Sequence, residues 1–149
     1  MHTRTADPAH LVDASPRARW RLPDTPVAAR LARRFVTEFL GNLIHDGAPD
    51  RAGLDHRSVL IVSELVTNAV VHGQPPIDLA VVWTPTDAEL RIDVHDRGDG
   101  PCGAPAVRGE ASPDAESGRG LFLVAQTAAR WGIGHRQPYG THAWAEVVA

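Results

Sequence analysis

The sequence contains no lysine: all 15 of its basic residues are arginine. A Walker-type phosphate loop relies on a lysine to reach the terminal phosphates, so that route to nucleotide binding is excluded. A lysine Schiff base is excluded for the same reason. Cysteine occurs once, at Cys102, which rules out an internal disulfide framework and leaves the cytoplasm as the expected compartment. No apolar run is long enough to span a bilayer, so no membrane partner is expected. Met1 to Asp13 carries charges and a proline but no apolar core, unlike a secretory signal. Eight histidines are present, yet none falls in a His-Glu-x-x-His or comparable ligand spacing, which argues against zinc chemistry. A net charge of -3 gives no electrostatic reason to expect nucleic acid as a partner.

What is present suits one globular domain. The 149 residues, 43% hydrophobic and 22% charged, allow a single core. Residues 1–17 read as a flexible arm and 18–149 as the folded domain. A short strand is expected over Arg19 to Leu22. A helix then starts with Thr25 as cap and Pro26 at its first position, carrying Val27, Leu31, Phe35, Phe39, Leu40 and Leu43 on its apolar stripe. A second helix is expected from Asp55 to Gly73, with Pro75 and Pro76 behind it. Ile77, Leu79, Val81 and Trp83 alternate along one strand, and Leu90, Ile92 and Val94 along the next, with Pro85 to Ala88 as the hairpin connection. Residues 97–120 read as loop, Leu121 to Trp131 as a third helix and Thr141 to Val148 as a last strand. The order β-α-α-β-β-loop-α-β predicts an α+β two-layer sandwich, with helices on one face of a mostly antiparallel sheet.

The second helix is unusual in its charge. Between Ser58 and His72, Glu64 is the only permanently charged side chain. Val59, Val62, Leu65, Val66, Ala69 and Val70 form one apolar face, while Glu64 and Asn68 stand one turn apart on the other, flanked by Leu60, Ile61 and Val71. A carboxylate and an amide in apolar surroundings need a partner, such as a metal ion, a water or a nucleophile's proton. The plainer alternative is one exposed glutamate and an asparagine near a helix end.

Two glycine-rich segments follow. Asp96-Arg97-Gly98-Asp99-Gly100 ends the strand, and an aspartate so placed can accept from an exocyclic amino group while the glycines let backbone approach a flat ligand. An ordinary Asp-Gly turn would look the same. Ser117-Gly118-Arg119-Gly120-Leu121 leads into the third helix, where exposed N–H groups and the helix dipole suit phosphate and Arg119 adds a cation. A flexible helix entry is the alternative there.

Taken together in this order and spacing, the segments resemble the gyrase, heat-shock chaperone, histidine-kinase and mismatch-repair ATPase superfamily. The run from Ser63 to Gly73 looks like its N-box, in the version typical of anti-sigma-factor serine kinases; Asp96-x-Gly98-x-Gly100 and Gly118-x-Gly120-Leu121 look like its two glycine boxes. Thr141 matches the family's hydroxyl near the adenine. The resemblance covers roughly residues 18–148 and implies an ATP site with magnesium held by Asn68, Glu64 as general base, and Asp96 with Thr141 on the adenine. Gly98, Gly100, Gly118 and Gly120 are then positions where backbone lies against nucleotide.

The resemblance has departures. The lid region, Pro101 to Ser117, is short and proline-rich; Arg119, and after it Arg108, must serve where a lysine would hold the terminal phosphate; and Glu116 and Ser117 stand where some of these kinases carry a basic residue. About 20 residues of arm leave no room for the dimerisation helices of a sensor kinase, and the end at Ala149 leaves none for a gyrase-type transducing domain. The expected protein is therefore an anti-sigma factor that holds a sigma factor and phosphorylates an anti-anti-sigma partner. Homodimerisation is common in the resembled kinases. The alternatives are a nucleotide-gated binding module with negligible phosphotransfer and a scaffold that binds no nucleotide. Arg30, Arg33, Arg34 and Phe35 offer a protein-binding face or, more simply, a solvated one.

Overall fold

A computed structural model of the chain describes residues 15–43, 51–98, 116–135 and 140–149. The elements are β1 (Arg17–Leu22), α1 (Val27–Asn42), α2 (Arg51–His72), β2 (Ile77–Thr84), β3 (Glu89–Asp96), α3 (Glu116–Thr127), β4 (Arg130–His135) and β5 (Thr141–Val148). The strands form one sheet in the order β1-β2-β3-β5-β4, and every pairing is antiparallel. The three helices cover one face of it, so the expected two-layer α+β architecture is the one observed.

The period-2 pattern explains the layering. Ile77, Leu79, Val81, Leu90, Ile92 and Val94, with Ala143, Ala145 and Val147 of β5, all turn to the helices and are buried. The opposite face carries Asp78, Arg91, Asp93, His95, His142 and Glu146, which pair with one another across the strands. α2 lies over β3 and β5 and is flanked by α1 and α3. Its core row is Leu54, Ser58, Ile61, Val62, Leu65, Val66 and Ala69. Ile61 therefore belongs to the core and does not flank Glu64 as the sequence suggested. The helix also begins four residues earlier than Asp55, at Arg51, where an Arg51–Asp55 ion pair of 3.2 Å closes the first turn.

In α1 the core row is Ala28, Ala32, Val36 and Leu40; of the expected stripe only Leu40 lies on it, Leu31, Phe35, Phe39 and Leu43 pack partly buried against it, and Val27 is exposed. The alanines let the α1 backbone approach α2. The larger Phe35 lies to the side and stacks on Trp20 of β1, with ring centroids 5.1 Å apart. Thr25 does not cap with its side chain; its backbone oxygen accepts from the Ala28 N–H at 3.0 Å instead. Of the arginine cluster, Arg33 donates to Ser63 Oγ across to α2 at 3.2 Å, and Arg34 pairs with Glu38 within the helix.

The C-terminal half departs further. α3 starts at Glu116 and ends at Thr127, so Trp131 is not helical but stands in β4, a strand the sequence reading missed. Gly132 and Gly134 weaken any strand signal in that segment. Their role is visible only in the pairing: Gly132 lies opposite Trp144, and a Cβ there would sit 2.8 Å from the indole Nε1.

Candidate functional site

Asp96 is the last residue of β3 and faces the helical layer, only 7% exposed. Three glycines close around it. A Cβ at Gly73 would lie 2.6 Å from Asp96 Oδ2, and one at Gly98 3.0 Å from Oδ1. Gly140 adopts φ +102°, and a Cβ there would meet the Asp96 carbonyl oxygen. The Gly98 N–H donates to Asp96 Oδ1 at 2.8 Å and fixes the carboxylate. Thr141 is the cross-strand partner of Asp96 and shares its face of the sheet. A carboxylate has about four acceptor positions, so the bond from Gly98 is compatible with a ligand's amino group as a further donor. Gly98 and Thr141 were singled out in the sequence for this neighbourhood. Gly73 and Gly140 were not given this role, because their approach to Asp96 arises only when α2, β3 and β5 come together.

The second half of the site lies between α2 and α3. Glu64, Thr67, Asn68, Val71, His72, Gly120 and Leu121 line one cavity. Glu64 and Asn68 are both half-buried, one helical turn apart. Gly120 packs directly on Glu64: a Cβ at position 120 would collide with Glu64 Oε2. Leu121 is 3% exposed and anchors α3 to the core beside them. Thr67 and His72 were assigned no role in the sequence, although their spacing from Glu64 and Asn68, three and four residues, puts them on the same helical face.

Gly118 and Arg119 stand within the first turn of α3, not in a loop ahead of it. Amide groups of a first helical turn lack intrahelical acceptors and so remain suited to anions. Arg119 is exposed there. Gly100, Arg108 and nearly all of the lid region lie outside the described residues. The cavity's hard oxygen donors, the Asn68 amide and the Glu64 carboxylate, are the type that magnesium prefers. Among the described residues no helix is long and apolar enough to cross a membrane.

A model of the histidine kinase-like ATPase domain matches residues 22–146. Among solved structures, the RsbU and RsbW domains of Rv1364c from Mycobacterium tuberculosis are similar at 25% identity with a TM-score of 0.64, over 89% of this chain and 32% of that one. The histidine kinase domain of the blue-light activated histidine kinase EL346 from Erythrobacter litoralis is similar in fold, at 21% identity and a TM-score of 0.51, over 78% of this chain and 60% of that one. The chain thus spans about a third of the mycobacterial chain and under two thirds of the other. No curated protein shows significant similarity to it. The matched range extends from the end of β1 into β5, spanning both halves of the site, and the chain belongs to the histidine kinase-like ATPase domain family, whose members use ATP.

Proposed function

We propose that the chain binds Mg-ATP and transfers the terminal phosphoryl group to a serine or threonine hydroxyl of a partner protein, acting as an anti-sigma factor towards a sigma factor and an anti-anti-sigma protein. The observation that carries this reading is the contact between Gly120 and Glu64, which sets the carboxylate of α2 against the first turns of α3 in one cavity with Asn68. The similarity to a chain containing an RsbW domain supports the same reading.

Each residue has a defined task. Asp96, fixed by Gly98, accepts from the adenine amino group, and Thr141 supports it from β5. The N-terminal turns of α3, with Gly118 and Gly120, face the phosphates, and Arg119 supplies positive charge where the chain has no lysine. Asn68 holds magnesium through its amide oxygen; the ion, when bound, neutralises phosphate charge. Glu64 accepts the proton of the acceptor hydroxyl as its oxygen bonds to phosphorus and the bond to the departing ADP oxygen breaks.

The test is phosphorylation of a candidate anti-anti-sigma protein by wild type and by Glu64→Ala. Transfer by the wild type, reduced by roughly 100-fold or more in the variant, is expected for a general base. Nucleotide binding without transfer in the wild type would leave a nucleotide-gated binding module.

A further inference from the structure

The sheet face turned away from the helices carries a cluster unrelated to the nucleotide cavity. His95 of β3 and His142 of β5 are direct cross-strand partners, and their rings stack with centroids 4.1 Å apart and planes 4° from parallel. Asp93, two residues before His95, points to the same face and meets His142 Nε2 through Oδ1 at 2.6 Å. One ligand atom from each of the three lies within 4.8 Å of the others. Asp93 and His142 keep only 15% and 18% of their side chains exposed.

We propose that Asp93, His95 and His142 form a binding site for a borderline transition-metal ion, of which zinc is the representative. Two imidazoles and one carboxylate are the donor set that zinc, nickel and copper take, whereas magnesium and calcium prefer oxygen alone. β3 and β5 are interior strands of the sheet, so the backbone holds the three donors at fixed spacing and binding orders little new structure. The ion takes the place of the hydrogen bond between His142 Nε2 and Asp93 Oδ1, and the ring coordinates as a neutral imidazole.

The neighbours are compatible with this. Arg91 contacts both Asp93 oxygens, at 3.2 and 3.1 Å, which orients the carboxylate as an outer-shell partner does. The same guanidinium bonds Glu146 at 2.8 Å and stacks over Trp144 at 4.4 Å, so it keeps two partners when the ion draws on Asp93. Arg130 completes the charge balance at Glu146. On β2, Asp78 lies opposite His95 and is held by Arg21 and Arg19. Three protein donors leave a coordination position for water or for a donor from a second molecule. The separation of His95 from His142 along the chain, 47 residues, hid the site from any local ligand spacing.

The experiment is calorimetric titration of the untagged, nucleotide-free chain with zinc chloride, for wild type, His95→Ala, His142→Ala, His142→Gln and Asn68→Ala. Circular dichroism and melting without metal establish that each variant folds. One zinc per wild-type chain is expected, weakened at least ~10-fold in every histidine variant, by analogy with outer-shell losses of that size, and unchanged in Asn68→Ala. Zinc binding that survives in a folded His142→Gln, that is lost only in Asn68→Ala, or that is absent from the wild type at 100-fold molar excess, on the order of what a preformed three-donor site needs to saturate, would overturn the proposal.

Discussion

Gly120 of α3 and Glu64 of α2 touch so closely that any side chain at position 120 would collide with the glutamate carboxylate. The atom in the way is the end of a flexible side chain, so Gly120→Ala swings Glu64 aside without unfolding the protein. Alanine also favours the helix by up to about 1 kcal/mol. The melting temperature is therefore expected to hold or rise slightly while phosphotransfer falls about 100-fold, the scale of an ångström-size misplacement of a reacting group. Parallel loss of stability and activity would show that the contact serves packing alone.

Asp96→Asn retains an acceptor for the Gly98 N–H but, under the proposed function, turns an NH2 donor towards the adenine amino group. The fold is expected to survive. ATP and ADP affinity, measured by calorimetry, is expected to fall together by roughly 10- to 100-fold, the equivalent of one hydrogen bond to a charged group. Asn68→Ala, by contrast, is expected to reduce only the magnesium-dependent part of ATP binding.

Gly140 stands at φ +102°, and a Cβ there would meet the Asp96 carbonyl and the Arg97 backbone. Here the obstacle is backbone and cannot turn away. Gly140→Ala is expected to cost roughly 2 kcal/mol or more, from the left-handed conformation and the collision together. Urea unfolding measures it directly, and a variant as stable as wild type would mean that the turn before β5 rebuilds.

Arg21 grips Asp78 across β1 and β2 through two bonds of 3.0 and 3.2 Å. The hydrogen bond from Arg21, with the nearby charges of Arg21 and Arg19 and against the opposing effect of burial, holds the Asp78 carboxyl below its ordinary value of 3.8. A carboxylate with a lowered folded-state value stabilises the fold above that ordinary value and loses the contribution as pH falls through the lowered one. Arg21→Ala is thus expected to be less stable than wild type at neutral pH, with the two urea midpoints converging as pH drops below 3.8. Arg21 is largely exposed, so the difference is small and shrinks in high salt.

Much of the architecture is legible in local pattern. The alternation in Ile77 to Trp83 and in Leu90 to Val94 identifies two strands and their buried faces, and β5 occupies Thr141–Val148 as its pattern indicates. Glu64 and Asn68 share a helical face because four residues make about one turn, whatever the rest of the chain does. These features depend on near neighbours in the chain, and the sequence by itself determines them. It also determines the absence of any lysine chemistry.

Tertiary structure decided the rest. The core row of α1 runs through Ala28 and Ala32, because close approach to α2 favours small residues over the bulky Phe35 and Phe39 that dominate the sequence pattern. β4 exists because Gly132 gives Trp144 room across the sheet, a relation between residues of different strands. Gly73 and Gly140 became walls around Asp96, and Gly120 the wall against Glu64, only through the packing of α2, α3, β3 and β5. His95 and His142 met through strand register. In each case the deciding contact joins residues far apart in the chain, where no period or motif carries information about distance, and only the pairing of strands and the docking of helices brings them together.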